Sequence, residues 1–217
     1  MGLAAILGLG IGTVLNAWAD WLSRKVAANP SGPLHATRWS LLLVISGGLF
    51  AYLQRIDGWS SGFVIRATYC SLLLLIAVID LEHRLIPNVL VGCGMMLALA
   101  FNVLYPTPGL AAALWGAAVG GGVFVLLAVA RQNALGMGDV KLAFLIGMMT
   151  GFPWVLQALI LGVILGGLAA GLLLLTRMRK PKQYMPYAPY LVAGSMATLL
   201  YGQGIANWYL NLAGSGG

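Results

Sequence analysis

The stretch Ser71-Leu-Leu-Leu-Leu-Ile-Ala-Val-Ile79 decides the fold. It is a continuous apolar run, closed by Asp80, with no alternation of polar and apolar side chains. A strand of a membrane barrel alternates between lipid and lumen, and this run does not. Lipid offers peptide groups no hydrogen-bond partner, so a spanning segment of this kind must be a helix. Apolar runs of roughly the 20 residues that one crossing requires recur along the chain. Of the 217 residues, 60% are hydrophobic and only 8% are charged, too few to coat a soluble domain. The sequence therefore implies an all-α, polytopic membrane bundle of about eight transmembrane helices, one domain over 1–213. Residues 214–217, Gly-Ser-Gly-Gly, read as an appended tail without function.

Hydrophobic runs and breakers place the helices at Leu3 to Leu22, Trp39 to Gln54, Phe63 to Asp80, Asn88 to Tyr105, Leu110 to Ala130, Val140 to Thr150, Trp154 to Thr176 and Ala188 to Tyr201. The sixth is too short to cross unless it begins deep in the bilayer. Lysine and arginine then set the orientation. One side collects Arg24, Lys25, Arg38, Arg84, Arg131, Lys141, Arg177, Arg179, Lys180 and Lys182, while the other has only Arg55 and Arg66. That bias makes the basic side cytoplasmic in an inner membrane and puts both termini outside. The net charge of +7 is thus a topology signal and an attraction to anionic lipid, so nucleic acid is not an expected partner. Cys70 and Cys93 lie in apolar segments, against both a disulfide framework and a zinc site. No basic residue precedes the first apolar run, unlike a cleaved signal peptide. Glycines in Gly116-Ala-Ala-Val-Gly120, with Gly162, Gly166, Gly167 and Gly171, read as close helix packing and not as a phosphate loop.

Only five residues are acidic. Asp57 reads as a solvated turn residue, and Asp20 as a local ion pair with Arg24 one helical turn away. Asp80 and Asp139 differ, because each borders a membrane span, where ionisable groups are costly and functional by default. The topology sets both at the same membrane face. Two carboxyls brought together in low dielectric share one proton. Such a dyad can activate a water with one member and protonate a leaving group with the other, which hydrolyses a peptide bond without a metal or other cofactor. Gly136 and Gly138, beside Asp139, would allow a tight turn and close approach of another backbone.

The blocks Asp80-Leu-Glu-His-Arg-Leu-Ile-Pro-Asn88 and Gly136-Met-Gly-Asp-Val-Lys-Leu142 resemble the two catalytic blocks of the type IV prepilin peptidases, membrane aspartyl proteases with a Gly-x-Gly-Asp motif. Gly8-Leu-Gly-Ile-Gly-Thr-Val-Leu-Asn16 and Met185-Pro-Tyr-Ala-Pro-Tyr190 are weaker echoes in the same order. The resemblance implies that Asp80 and Asp139 are the catalytic pair. It also implies the substrates and partners: precursors of type IV pilins or pilin-like secretion subunits, cut on the cytoplasmic side after a short basic leader. Many bacterial members carry a cytoplasmic insert with two Cys-x-x-Cys pairs after the first helix. Here that loop, 23–38, has no cysteine, so zinc is not expected. The chain reads as a short, peptidase-only form, without the family's N-methylation by S-adenosylmethionine.

Helix geometry suggests roles. Asp80, at a helix C-terminus, would hold the shared proton, and Asp139, near a helix N-terminus, would be the general base. Glu82, an acid on a basic face, is a candidate receptor for the positive leader. Lys141 would meet a lipid phosphate or support ionised Asp139. His83 could serve as a catalytic base but reads rather as a solvated loop residue, and His35 reads as a lone loop residue without a role. Two other readings use the same acids: a proton-coupled membrane transporter, and a non-catalytic subunit of a secretion apparatus. A presenilin or signal-peptide peptidase relative shares Gly-x-Gly-Asp, but the extended Asp80 block favours the prepilin branch.

Overall fold

The structure, a computed structural model, describes residues 2–26, 35–105, 108–130, 136–176 and 187–214. These residues form eight helices: α1 (Gly2–Val26), α2 (His35–Asp57), α3 (Ser61–His83), α4 (Asn88–Leu104), α5 (Leu110–Ala130), α6 (Met137–Thr150), α7 (Trp154–Leu175) and α8 (Ala188–Gly214). They follow the expected order one for one. Arg131, Arg177, Arg179, Lys180, Lys182, Met185 and the end of the tail lie outside the described residues.

Five helices are each long and apolar enough to cross a bilayer, within Gly2–Leu22, Arg38–Asp57, Ser61–His83, Leu110–Ala130 and Trp154–Leu173. α4 is apolar but has 17 residues. Large apolar side chains face outward, with Val44 70% and Leu168 67% exposed. Lipid accommodates such a surface and water does not. The chain is a multi-pass helical membrane protein.

Contacts divide it into two compact units, Met1–Gly94 and Met95–Gly217. In the first, α1 packs along α2, and α3 touches both. The glycines of the first echo explain the tight fit: a Cβ on Gly8 would come within 2.8 Å of the Gly47 Cα, and one on Gly12 would overlap the Ser46 hydroxyl. Ser46 Oγ donates to the Leu42 carbonyl at 2.6 Å, and buried Asn16 donates to the Gly12 carbonyl at 3.1 Å. Asp57 is not a solvated turn residue. Arg66 on α3 donates to its carboxylate, and the Asp57 side chain is buried. Thirty-odd ångströms of lipid leave few places to neutralise a charge, so the turn's acid and the next helix's base find each other.

In the second unit α5 lies against α6 and α7 against α8, with α6 also touching α7 and α8. Backbones meet where side chains are missing. A Cβ on Gly116 would strike the Gly147 carbonyl, and one on Gly120 would come 2.7 Å from the Ala143 carbonyl. A Cβ on Gly194 would come 2.5 Å from the Ala158 carbonyl, beside Gly162. Close packing therefore holds for Gly116, Gly120, Gly162 and Gly166, but not for Gly167 and Gly171, which have nothing within 4 Å. Every residue of α6 from Leu145 to Thr150 is buried. A stretch buried on all sides rests in protein, which is how a helix of 14 residues can serve where a lipid-facing span needs about 20.

Candidate active site

Asp80 is positioned by α3. Ser60 caps the helix start, its Oγ accepting the Phe63 N–H at 3.4 Å. The apolar run then buries Leu73, Ile76 and Ile79. The helix continues past the expected end at Asp80 to His83, and stops because Arg84 turns left-handed at φ 54°, its N–H donating to the Asp80 carbonyl at 2.8 Å. Asp80 thus sits in the last turn, 5% exposed. A non-glycine residue at positive φ is costly, and such strain gathers at working sites.

Two residues on, the structure departs from the sequence reading. Glu82 is not presented on the surface: its side chain is 5% exposed and accepts from Arg38 Nη1 at 2.7 Å. The other arm of the same guanidinium donates to Asp20 on α1. His83, expected to be solvated, is buried, its Nε2 3.8 Å from the same Glu82 oxygen. One arginine in the first turn of α2 therefore ties the ends of α1 and α3. Asp20 finds Arg38 across the bundle, whereas the Arg24 side chain lies outside what the structure describes. A cation at a helix N-terminus is unfavourable alone, and two carboxylates compensate it. Arg38 itself was legible only as a topology charge.

Asp139 is positioned by α6. The helix starts at Met137, earlier than the expected Val140, and so takes Gly138 and Asp139 into its first turn. Asp139 is 6% exposed, and its N–H donates to the Gly136 carbonyl at 3.0 Å. Gly136, the N-cap, offers no side chain to the first-turn N–H groups, which leaves the Asp139 carboxylate as the acid at the positive helix end. The tight-turn reason for the two glycines does not hold, since Gly136 has φ −73° and Gly138 is helical. Lys141 is exposed.

Tyr187 joins this half of the site, and the sequence reading gave it no role beyond the second echo. Its carbonyl accepts the N–H groups of Tyr190 at 3.1 Å and Leu191 at 3.3 Å, which starts α8. Its ring lies 6.4 Å from that of Phe124 on α5 and covers Gly166 of α7, where a Cβ would come within 2.9 Å. Burial pushes the phenol above its ordinary pKa, and the Asp139 carboxylate pushes it further in the same direction. Among the described residues no group of three or more His, Cys, Asp or Glu is arranged to hold a metal ion.

The profile of a family described as the Type IV leader peptidase family matches residues 67–171, a span that takes in both Asp80 and Asp139. A Bacillus subtilis protein named prepilin leader peptidase/N-methyltransferase is 32% identical over 145 residues, 67% of this chain and 58% of that protein. A protein of the same name from Stutzerimonas stutzeri is 26% identical over 211 residues, 92% of this chain and 72% of that one. The chain belongs to the type IV leader peptidase family. A further member of that name, from Pseudomonas aeruginosa, is 30% identical over 161 residues, 72% of this chain and 55% of the relative. The match to the first and third of these spans little more than half of their length. No solved structure matches. Within this peptidase family's matched span lie α3 from Ala67 onward, all of α4, α5 and α6, and most of α7. Arg38, Asp20 and Tyr187 lie outside it.

Proposed function

We propose that this protein is an intramembrane aspartic endopeptidase that removes the basic leader from type IV prepilins or pilin-like secretion subunits at the cytoplasmic membrane face. The observation that carries the reading is that the leader-peptidase span contains two aspartic acids, Asp80 and Asp139, each at a helix end and each about nineteen-twentieths buried. Buried acids next to a bilayer are expensive unless they are used. Residues 1–213 would act as one peptidase domain.

The opposite helix ends support a division of labour. Asp139, in the first turn of α6, sits where negative charge is favoured, and so takes the proton of the attacking water. Asp80, in the last turn of α3, sits where negative charge is disfavoured, and so holds the shared proton and delivers it to the leaving amine. The dyad titrates as a pair. Gly136 and Gly138 leave room beside Asp139 for the substrate backbone. Glu82 supports the site by fixing the last turn of α3 through Arg38. Lys141 meets lipid phosphate. The basic loops would lie in the cytoplasm and both termini outside, in the inner membrane. Transfer of a methyl group is not expected.

Purified protein in detergent or vesicles, given a prepilin-like peptide with a basic leader, should release the leader without added metal. Cleavage lost in Asp80→Asn and in Asp139→Asn supports the dyad. Movement of protons or solute across vesicles without cleavage would instead mean that the same acids serve a transporter. A labelled methyl donor in the same reaction tests for methylation.

A further inference from the structure

Close packing in the second unit fixes a register. Gly116 of α5 lies against Gly147 of α6, and Gly120 lies against Ala143. The helices are antiparallel, so four residues up one correspond to four residues down the other. The next rung sets Phe124 level with Asp139. On the other pair, a Cβ on Gly162 would come 3.0 Å from the Leu191 Cα, and one rung along Gly166 lies under the Tyr187 ring. The 6.4 Å separation of the Phe124 and Tyr187 rings joins the two registers. Four helices thereby converge: α8 starts on the Tyr187 carbonyl, α7 clears space at Gly166, α5 supplies Phe124, and α6 brings Asp139.

We propose that Tyr187 is a positioning residue for Asp139, its phenol hydroxyl held beside the carboxyl by Phe124 and Gly166 so that it steadies the ionised form. This rests on the reading of Asp139 as the water-activating base. A phenol that keeps its proton is a hydrogen-bond donor at every pH at which a carboxylate dyad works. Burial and the neighbouring carboxylate both act to keep that proton in place. Lys141 is the other charged residue close by on α6, and it is exposed. The ring and the hydroxyl have separable duties, since the ring fills the space above Gly166 and the hydroxyl acts on Asp139.

The test has two arms in detergent-solubilised full-length protein. In the first, Tyr187 is titrated through its ring-carbon resonance with labelled tyrosine, assigned by its loss in Tyr187→Phe. It should ionise at lower pH in Asp139→Asn than in the wild type, because the repelling carboxylate is gone. An unchanged titration overturns the proposal. In the second, Tyr187→Phe keeps the ring, so thermal stability and KM should hold while kcat falls about tenfold and the acid limb of the pH profile moves to higher pH. A Phe variant with wild-type kcat and pH profile overturns the proposal and leaves the peptidase reading standing. If the wild type cleaves no leader, the peptidase reading fails, and the titration arm alone decides the coupling of Tyr187 to Asp139.

Discussion

The first unit carries its acid at the C-terminal end of α3 and secures that end with charge, through an arginine of α2 shared between Asp20 on α1 and Glu82 on α3 itself. The second carries Asp139 at the N-terminal end of α6 and secures it with missing side chains, through glycines that let α5 and α6 touch backbone to backbone. The contrast separates two ways of holding a buried acid. An ion-pair clamp is strong only while complete, because removing one member strands its partners in low dielectric. A glycine seam has no charge to strand and fails by steric overlap. The two acids also sit in opposite helix fields, which is what a proton-sharing pair needs if one member is to be the base and the other the acid.

The largest effect should come from the acids. Asp80→Asn or Asp139→Asn should each lower leader cleavage by at least about a thousandfold, with thermal unfolding unchanged or raised. Equal activity in either variant would remove that residue from the chemistry. Next is the clamp. Arg38→Met should cost about 3–5 kcal/mol by leaving Glu82 and Asp20 uncompensated, read as a fall in the unfolding midpoint. Adding Asp20→Asn and Glu82→Gln should recover most of that loss. The seam comes third: Gly147→Ala places a Cβ against the Gly116 carbonyl and should cost about 1–3 kcal/mol, whereas Gly171→Ala meets open space and should be neutral. Similar losses in both would mean that contact at the seam does not set the cost, because Gly→Ala by itself favours a helix. The smallest concerns the leader. Glu82→Gln should cleave basic-leader and neutral-leader peptides in the wild-type ratio, because Arg38 already engages that carboxylate. A changed ratio would restore Glu82 as a leader receptor.

Much of this was legible one helix at a time. The α5 limits, Leu110 and Ala130, follow from an uninterrupted apolar run between a glycine and an arginine. The two acids stood out because a charge beside lipid has no cheap explanation. Errors fell where polarity and burial part company. α3 runs on through Glu82 and His83, polar residues that the Arg38 bridge makes affordable inside the protein. α6 starts early because a glycine can lie in a first helical turn, where a breaker was expected. α8 passes through Gly202, where an added Cβ would lie 3.4 Å from the Trp154 ring. Partners distant in sequence were illegible. Asp20 had a plausible arginine one turn away, and nothing in the string points instead to Arg38, 18 residues on and on another helix. Tyr187 is one of eight tyrosines, and only the register of four helices singles it out.

The most direct test replaces both acids by cysteine, Asp80→Cys with Asp139→Cys, after Cys70→Ala and Cys93→Ser remove the native thiols. Two carboxyls that share a proton bring their oxygens to about 3 Å, which leaves their Cβ atoms further apart than the roughly 3.5–4.5 Å of a disulfide, so a short bifunctional methanethiosulfonate is used in place of direct oxidation. The reagent should join the pair within one chain and shift its gel mobility, reversibly with reductant. No crosslink, with or without a prepilin-like peptide bound, would contradict a two-acid site.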